Sequence, residues 1–141
     1  MLTNKELTEV LRNHGYKVTP QRIAVYETLA ASKSHPSAEE LYSLLRPRFP
    51  SMSLATVYKS IDILNRIAVI HILHTGEDSL RYDADLDSHN HVQCQICGSI
   101  TDVNELDSRP LVQDAEKQSG YIIGQHQFYF YGICPQCQKK H

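Results

Sequence analysis

Residues 53–74 read SLATVYKSIDILNRIAVIHILH. The hydrophobic period changes inside this stretch. Val57, Ile61 and Leu64 fall at i, i+4 and i+7, with Ile67 three further on, which is one face of a helix. Ser53 stands where an N-cap is wanted. VIHILH (69–74) and LRYD (80–83) are short β-like runs on either side of TGEDS. That order of runs and turn residues predicts a hairpin.

Three further helical segments precede this one. Leu7, Val10 and Leu11 mark the first, with Gly15 to end it. Thr19 and Pro20 open the second, which carries Ile23, Tyr26, Leu29 and Ala30 on one face. Ser37 and Glu40 spell a capping box for the third, followed by Leu41, Leu44 and Leu45 on one face. Several short helices and then a hairpin are the pattern of a winged helix-turn-helix, within an α+β protein.

The acidic stretch DADLDS (83–88) interrupts the pattern. It divides the chain into a winged-helix unit, 1–82, and an α/β unit, 83–141. In the second unit HVQC, SITDV and YIIGQHQFYFYGIC read as strands. SRPLVQDAEKQSG reads as one helix capped by Ser108 and closed by Gly120.

The chain has 141 residues and a net charge of −2. Residues 1–80 hold nine Lys/Arg against eight Asp/Glu, and residues 81–141 hold five against eight. Any nucleic-acid face is therefore local and lies in the first half. No apolar run reaches the ~20 residues of a membrane span. The N-terminus lacks a signal-peptide core. Both point to the cytoplasm and to no membrane partner.

All four cysteines lie in the second half, as Cys94-x-x-Cys97 and Cys134-x-x-Cys137. In a reducing compartment such pairs read as metal ligands before disulfides. Gly98 suits a tight knuckle whose amides point at sulfur. Four thiolates make a complete structural zinc site with no position left for catalysis. A thioredoxin-type motif needs a βαβ setting, which is absent here.

Other residues offer a different donor set. His89 and His91 point to one side of a strand. Asp102 follows on the next, Asp83 and Asp85 stand at the unit boundary, and His35 precedes the Ser37 cap. Such nitrogen and oxygen donors suit Fe(II), Mn(II), Zn(II) or Co(II) in higher coordination. The same residues also read as a solvated polar stretch. His126 is left open between a strand residue and a further ligand.

TPQR, HPSAEELY, SLATVYKSIDIL, RYDADLDSHNHVQCQICGSITDV and YGICPQC occur in this order. Together they resemble the ferric uptake regulator (Fur) family of bacterial metal-dependent repressors, over nearly the whole chain. The resemblance implies an N-terminal winged-helix DNA-binding domain and a C-terminal α/β dimerisation domain. It implies a homodimer on double-stranded operator DNA with an inverted repeat, and no small-molecule substrate beyond metal ions and peroxide. The sequence is most similar to the peroxide-sensing branch (PerR-like). That likeness implies a regulatory Fe(II) or Mn(II) held by His35, Asp83, His89, His91 and Asp102, beside the structural zinc. The iron-sensing branch carries Glu where Asp102 stands. Under this resemblance peroxide oxidises His35 or His89, and operator DNA is released.

On the same reading Thr56, Tyr58 and Lys59 face the DNA groove, and Arg12, Lys17 and Arg22 meet phosphates. One departure is visible. The family commonly places Gly before the wing, and here Ala68 stands there. An iron- or zinc-responsive repressor without peroxide chemistry is the alternative within the family. A metal-dependent hydrolase or oxidase finds no nucleophile beside a base. A thiol switch through C-x-x-C is the remaining alternative.

Overall fold

The computed structural model describes residues 1–74, 79–86, 90–103, 105–124 and 126–140. His89 and most of the TGEDS turn lie outside them. The chain divides into two units, Met1–Leu86 and Asp87–His141. The division falls four residues beyond the expected one: Asp83 pairs with His71 and Ala84 is buried in the first unit's core.

The first unit holds four helices and a two-stranded hairpin. The helices are α1 (Asn4–Asn13), α2 (Pro20–Ala31), α3 (Ala38–Leu45) and α4 (Leu54–Arg66). Each starts on a hydroxyl that satisfies an otherwise orphaned amide. Arg22 N–H donates to Thr19 Oγ1 at 3.1 Å, and Thr56 N–H donates to Ser53 Oγ at 3.2 Å. Ser37 and Glu40 form the capping box that their spacing predicts. Thr3 and Glu6 form a second one that the sequence reading missed.

Leu7, Leu11, Val25, Leu29, Leu41, Val57 and Leu64 form a continuous core. Burying each leucine contributes about 2 kcal/mol. Leu44 is a correction. It is 61% exposed, because α3 turns Leu41 and Leu45 toward α2 and α4 and leaves Leu44 at the rim.

β1 (His71–Leu73) and β2 (Arg81–Asp83) pair antiparallel, with His71 opposite Asp83 and Leu73 opposite Arg81. The turn from α4 into β1 is a Schellman motif: Val69 N–H donates to the Leu64 carbonyl and Ala68 N–H to that of Asn65. Ala68 has φ +59°, so alanine adopts the conformation glycine usually supplies. A left-handed L-residue costs about 1–2 kcal/mol, and glycine returns about 0.4–1 kcal/mol of that through the unfolded chain. Ala68→Gly is therefore expected to stabilise the first unit by about 0.5–1 kcal/mol. Urea unfolding checks this, and a lower midpoint would contradict it.

The second unit holds β3 (Asn90–Cys94), β4 (Ile100–Val103), α5 (Arg109–Ser119), β5 (Tyr129–Gly132) and α6 (Pro135–Lys140). The sheet order is β4-β3-β5, with β4 antiparallel and β5 parallel to β3. Two expectations are corrected here. Among the described residues of 121–134 only Tyr129–Gly132 are strand, since their register with β3 runs from His91 to Cys94. Ser108 makes no side-chain cap; its Oγ lies 2.7 Å from His126 Nε2. CPQC leads into the short helix α6. No helix among the described residues is long and apolar enough to cross a membrane.

Candidate metal centres

The first knuckle follows β3. Gly98 takes φ +77° and its amide donates to the Cys94 carbonyl at 2.9 Å. This closes the turn that glycine permits at low cost. Cys94 Sγ accepts amide hydrogens from Ile96 at 3.4 Å and Cys134 at 3.3 Å. Cys134 Sγ accepts from Cys137 N–H at 3.4 Å. The parallel β3–β5 register, with Cys94 beside Gly132, delivers the second pair to the first.

The four sulfurs lie within 4.8 Å of one another. Cys97 Sγ and Cys134 Sγ are 3.8 Å apart. Tetrahedral zinc with Zn–S of about 2.3 Å has an S···S edge of about 3.8 Å. The amides of Cys97, Cys134 and Ile96 pull the Cys94 thiol down to about 6. The hydroxyl and amide of Ser99 lower Cys97. Cys137, against Cys134 and buried, is pushed up to about 12. Such a cluster holds its fourth negative charge only beside a cation, and zinc fits that need in number, softness and spacing.

The histidine and carboxylate candidates form a pair within each unit. In the first, His35 Nδ1 lies 3.5 Å from Asp83 Oδ2, and both residues are buried. Asp85 N–H donates to Asp83 Oδ1 at 2.9 Å, which fixes the carboxylate and presents Oδ2 to the histidine. His35 takes φ +52°, a region that histidine visits more than most residues but at a cost.

In the second unit the β3–β4 register sets His91 opposite Asp102. His91 Nε2 lies 3.4 Å from Asp102 Oδ1. Tyr129, beside His91 on β5, stacks on the imidazole at 5.8 Å with an 18° interplanar angle. The sequence reading missed Tyr129, because only the strand register brings it there. Two donors each about 2.1 Å from one ion stand about 3.0–3.4 Å apart. Both pairs are near that spacing, and their nitrogen and oxygen donors suit a harder ion than the thiolates do.

Ferric uptake regulator family sequences match residues 13–131 as a single model. The chain belongs to the ferric uptake regulator family. Family relatives include the peroxide-responsive repressor PerR of Staphylococcus saprophyticus, 37% identical over 130 residues, covering 92% of this chain and 88% of that one. Among solved structures of the family, Helicobacter pylori Fur superposes with TM-score 0.84 at 25% identity, covering 95% of this chain and 90% of that one. PerR from Streptococcus pyogenes is 35% identical with TM-score 0.56, covering 97% and 95%.

Thr56, Tyr58 and Lys59, the residues expected to face a groove, are exposed on α4. Tyr58 Oη donates to Glu39 Oε1 at 2.7 Å. That bond lowers the Glu39 carboxyl and raises the Tyr58 phenol from their ordinary values. Arg12 and Lys17 are exposed. Arg22 is a correction: it is buried, and its guanidinium donates to the Lys17 carbonyl. It braces the turn before α2 and is not presented to phosphates.

Proposed function

We propose that this chain is a metal-dependent repressor that responds to hydrogen peroxide. The observation that carries the reading is the chemical separation of its donor groups. Four sulfurs converge within 4.8 Å of one another, while His35–Asp83 and His91–Asp102 provide harder donors. The proposed roles are structural zinc on Cys94, Cys97, Cys134 and Cys137, and regulatory iron or manganese on His35, Asp83, His89, His91 and Asp102.

His35 and Asp83 belong to the winged-helix unit, and His91 and Asp102 to the sheet unit. An ion that draws on both favours one relative orientation of the units. Moving such an equilibrium from 1:99 to 99:1 takes about a 10⁴-fold preference for one state, which the loss of two or more ligands in the other state supplies. A fixed orientation sets the spacing of recognition helices in a dimer on operator DNA. The dimer reading is supported by large apolar groups exposed on the second unit, among them Leu111, Tyr121, Ile122, Phe130, Tyr131 and Ile133. In this reading α4 offers Thr56, Tyr58 and Lys59 to the groove, while Arg12 and Lys17 meet phosphates.

Fe(II), if held by these residues, would catalyse oxygen transfer from peroxide to a ligand: a ring carbon of His35 or His89 gives up two electrons and gains one oxygen, the O–O bond breaks, and the other peroxide oxygen leaves as water. The oxidised ligand would donate more weakly, and the held orientation would be lost. Peptide-mapped mass spectrometry of the Fe(II)-loaded protein before and after low peroxide tests this. The expected result is one added oxygen on His35 or His89 with all four cysteines unmodified. Oxidation only at the cysteines would point to a thiol switch. No oxidation, with operator release on chelation alone, would point to an iron- or zinc-responsive repressor.

A further inference from the structure

The His35 turn is unusual on two counts. Its backbone sits at φ +52°, and its side chain is 2% exposed. A strained residue persists only where its surroundings hold it. Strand β2 does the holding. Tyr82 N–H donates to the Pro36 carbonyl at 3.2 Å. Arg81 Nη1 donates to the His35 carbonyl at 3.4 Å and stands 3.8 Å from Glu40 Oε1.

Glu40 is also the capping-box carboxylate of α3: its Oε2 accepts the Ser37 amide at 3.4 Å. The Arg81 side chain is 14% exposed, in contrast to the 51% of Glu40. One guanidinium therefore touches the turn that carries His35 and the cap that follows it. Two residues further along the same strand stands Asp83, the partner of His35.

We infer that Arg81 is a positioning residue for the regulatory metal. It holds the His35 backbone in the left-handed conformation that aims Nδ1 at Asp83. This rests on the reading of His35 and Asp83 as metal ligands. Arg81 contacts the His35 carbonyl and Glu40, and it acts on the ion only through His35. Its role is distinct from surface ion pairing, which contributes little at an exposed carboxylate.

The test is a Co²⁺ titration of the zinc-loaded, full-length protein, followed by visible absorption. It compares wild type, Arg81→Gln, His35→Ala and the double variant, with Glu40→Gln as control. Groups that orient a ligand are worth about 10–100-fold in metal affinity. Arg81→Gln is expected to weaken Co²⁺ binding about tenfold in the wild-type background and less than about twofold in the His35→Ala background. Glu40→Gln is expected to leave affinity within about twofold.

An equal loss in both backgrounds overturns the inference, since Arg81 then acts independently of His35. No loss on Arg81→Gln, with a large loss on His35→Ala, overturns it while leaving the ligand reading intact. No loss on His35→Ala overturns the ligand reading and the inference with it. Urea unfolding of each variant accompanies the titration. If Arg81→Gln does not fold, Arg81→Lys replaces it, keeping the charge opposite Glu40 while losing the planar fork.

Discussion

Cys94→Ser is expected to strip the protein of zinc and to loosen the second unit while leaving the first intact. Cys94 ends β3, accepts amides from both cysteine pairs, and stands beside Gly132 at the end of β5. A serine oxygen is a poor match for zinc in a four-sulfur set. Without the ion, the sheet keeps only a few strand pairings and a small core: in this unit Ile100, Cys94 and Cys137 are the buried apolar residues among those described. Metal binding and folding are then coupled. Elemental analysis should give close to no zinc, and amide exchange should rise through residues 90–134 but not through α1 to α4. Retention of stoichiometric zinc with unchanged exchange would sink the assignment.

Acid should imitate this variant. The Cys94 thiol is depressed from 9.0 to about 6. Its contribution to stability is therefore present above 9 and is lost as pH falls through about 6. Cys97 is lowered as well and acts in the same direction. Cys137, raised to about 12, keeps its proton unless a cation is present. Zinc release should accordingly be driven by falling pH, never by a modest rise.

His91→Ala is expected to abolish metal-dependent operator binding while leaving zinc in place. His91 is 2% exposed, lies 3.4 Å from Asp102 and stacks on Tyr129. Outer groups alone are worth about 10–100-fold in metal affinity, so loss of a ligand should cost at least about 100-fold in Mn²⁺ affinity. Isothermal titration with Mn²⁺ and a gel-shift assay at fixed Mn²⁺ check both halves. Unchanged Mn²⁺ affinity would remove His91 from the regulatory set. Normal affinity with lost DNA binding would instead place its role in the coupling.

Much of this architecture is written locally. Thr19, Ser37 and Ser53 are read correctly as caps because a cap depends on the next three residues alone. The cysteine pairs are legible because thiolate spacing constrains metal chemistry directly. The misreadings share another cause. Arg22 looks like a surface cation, and only the turn between α1 and α2 shows the carbonyl that claims it. Tyr121, Ile122, Ile123 and Phe128 are strand-forming residue types, but the Cα register with β3 begins only at Tyr129. Helix α6 has six residues, too few to display a period. Alanine itself carries no sign of the left-handed backbone at residue 68; only the glycine that the family commonly places there points to it, and the Val69 N–H bond to the Leu64 carbonyl closes that turn.

The parallel pairing of β3 with β5 has a kinetic meaning. The hairpin of the first unit joins residues about ten apart, whereas Cys94 must find Gly132 across the whole of β4 and α5. Search across a longer stretch of chain is slower. After dilution from denaturant the DNA-reading unit should regain its shape first. The sheet unit would follow at a pace set by loop closure and by the zinc available to trap it. A freshly refolded population would thus pass through an interval in which the winged-helix unit is formed and the sheet unit is not.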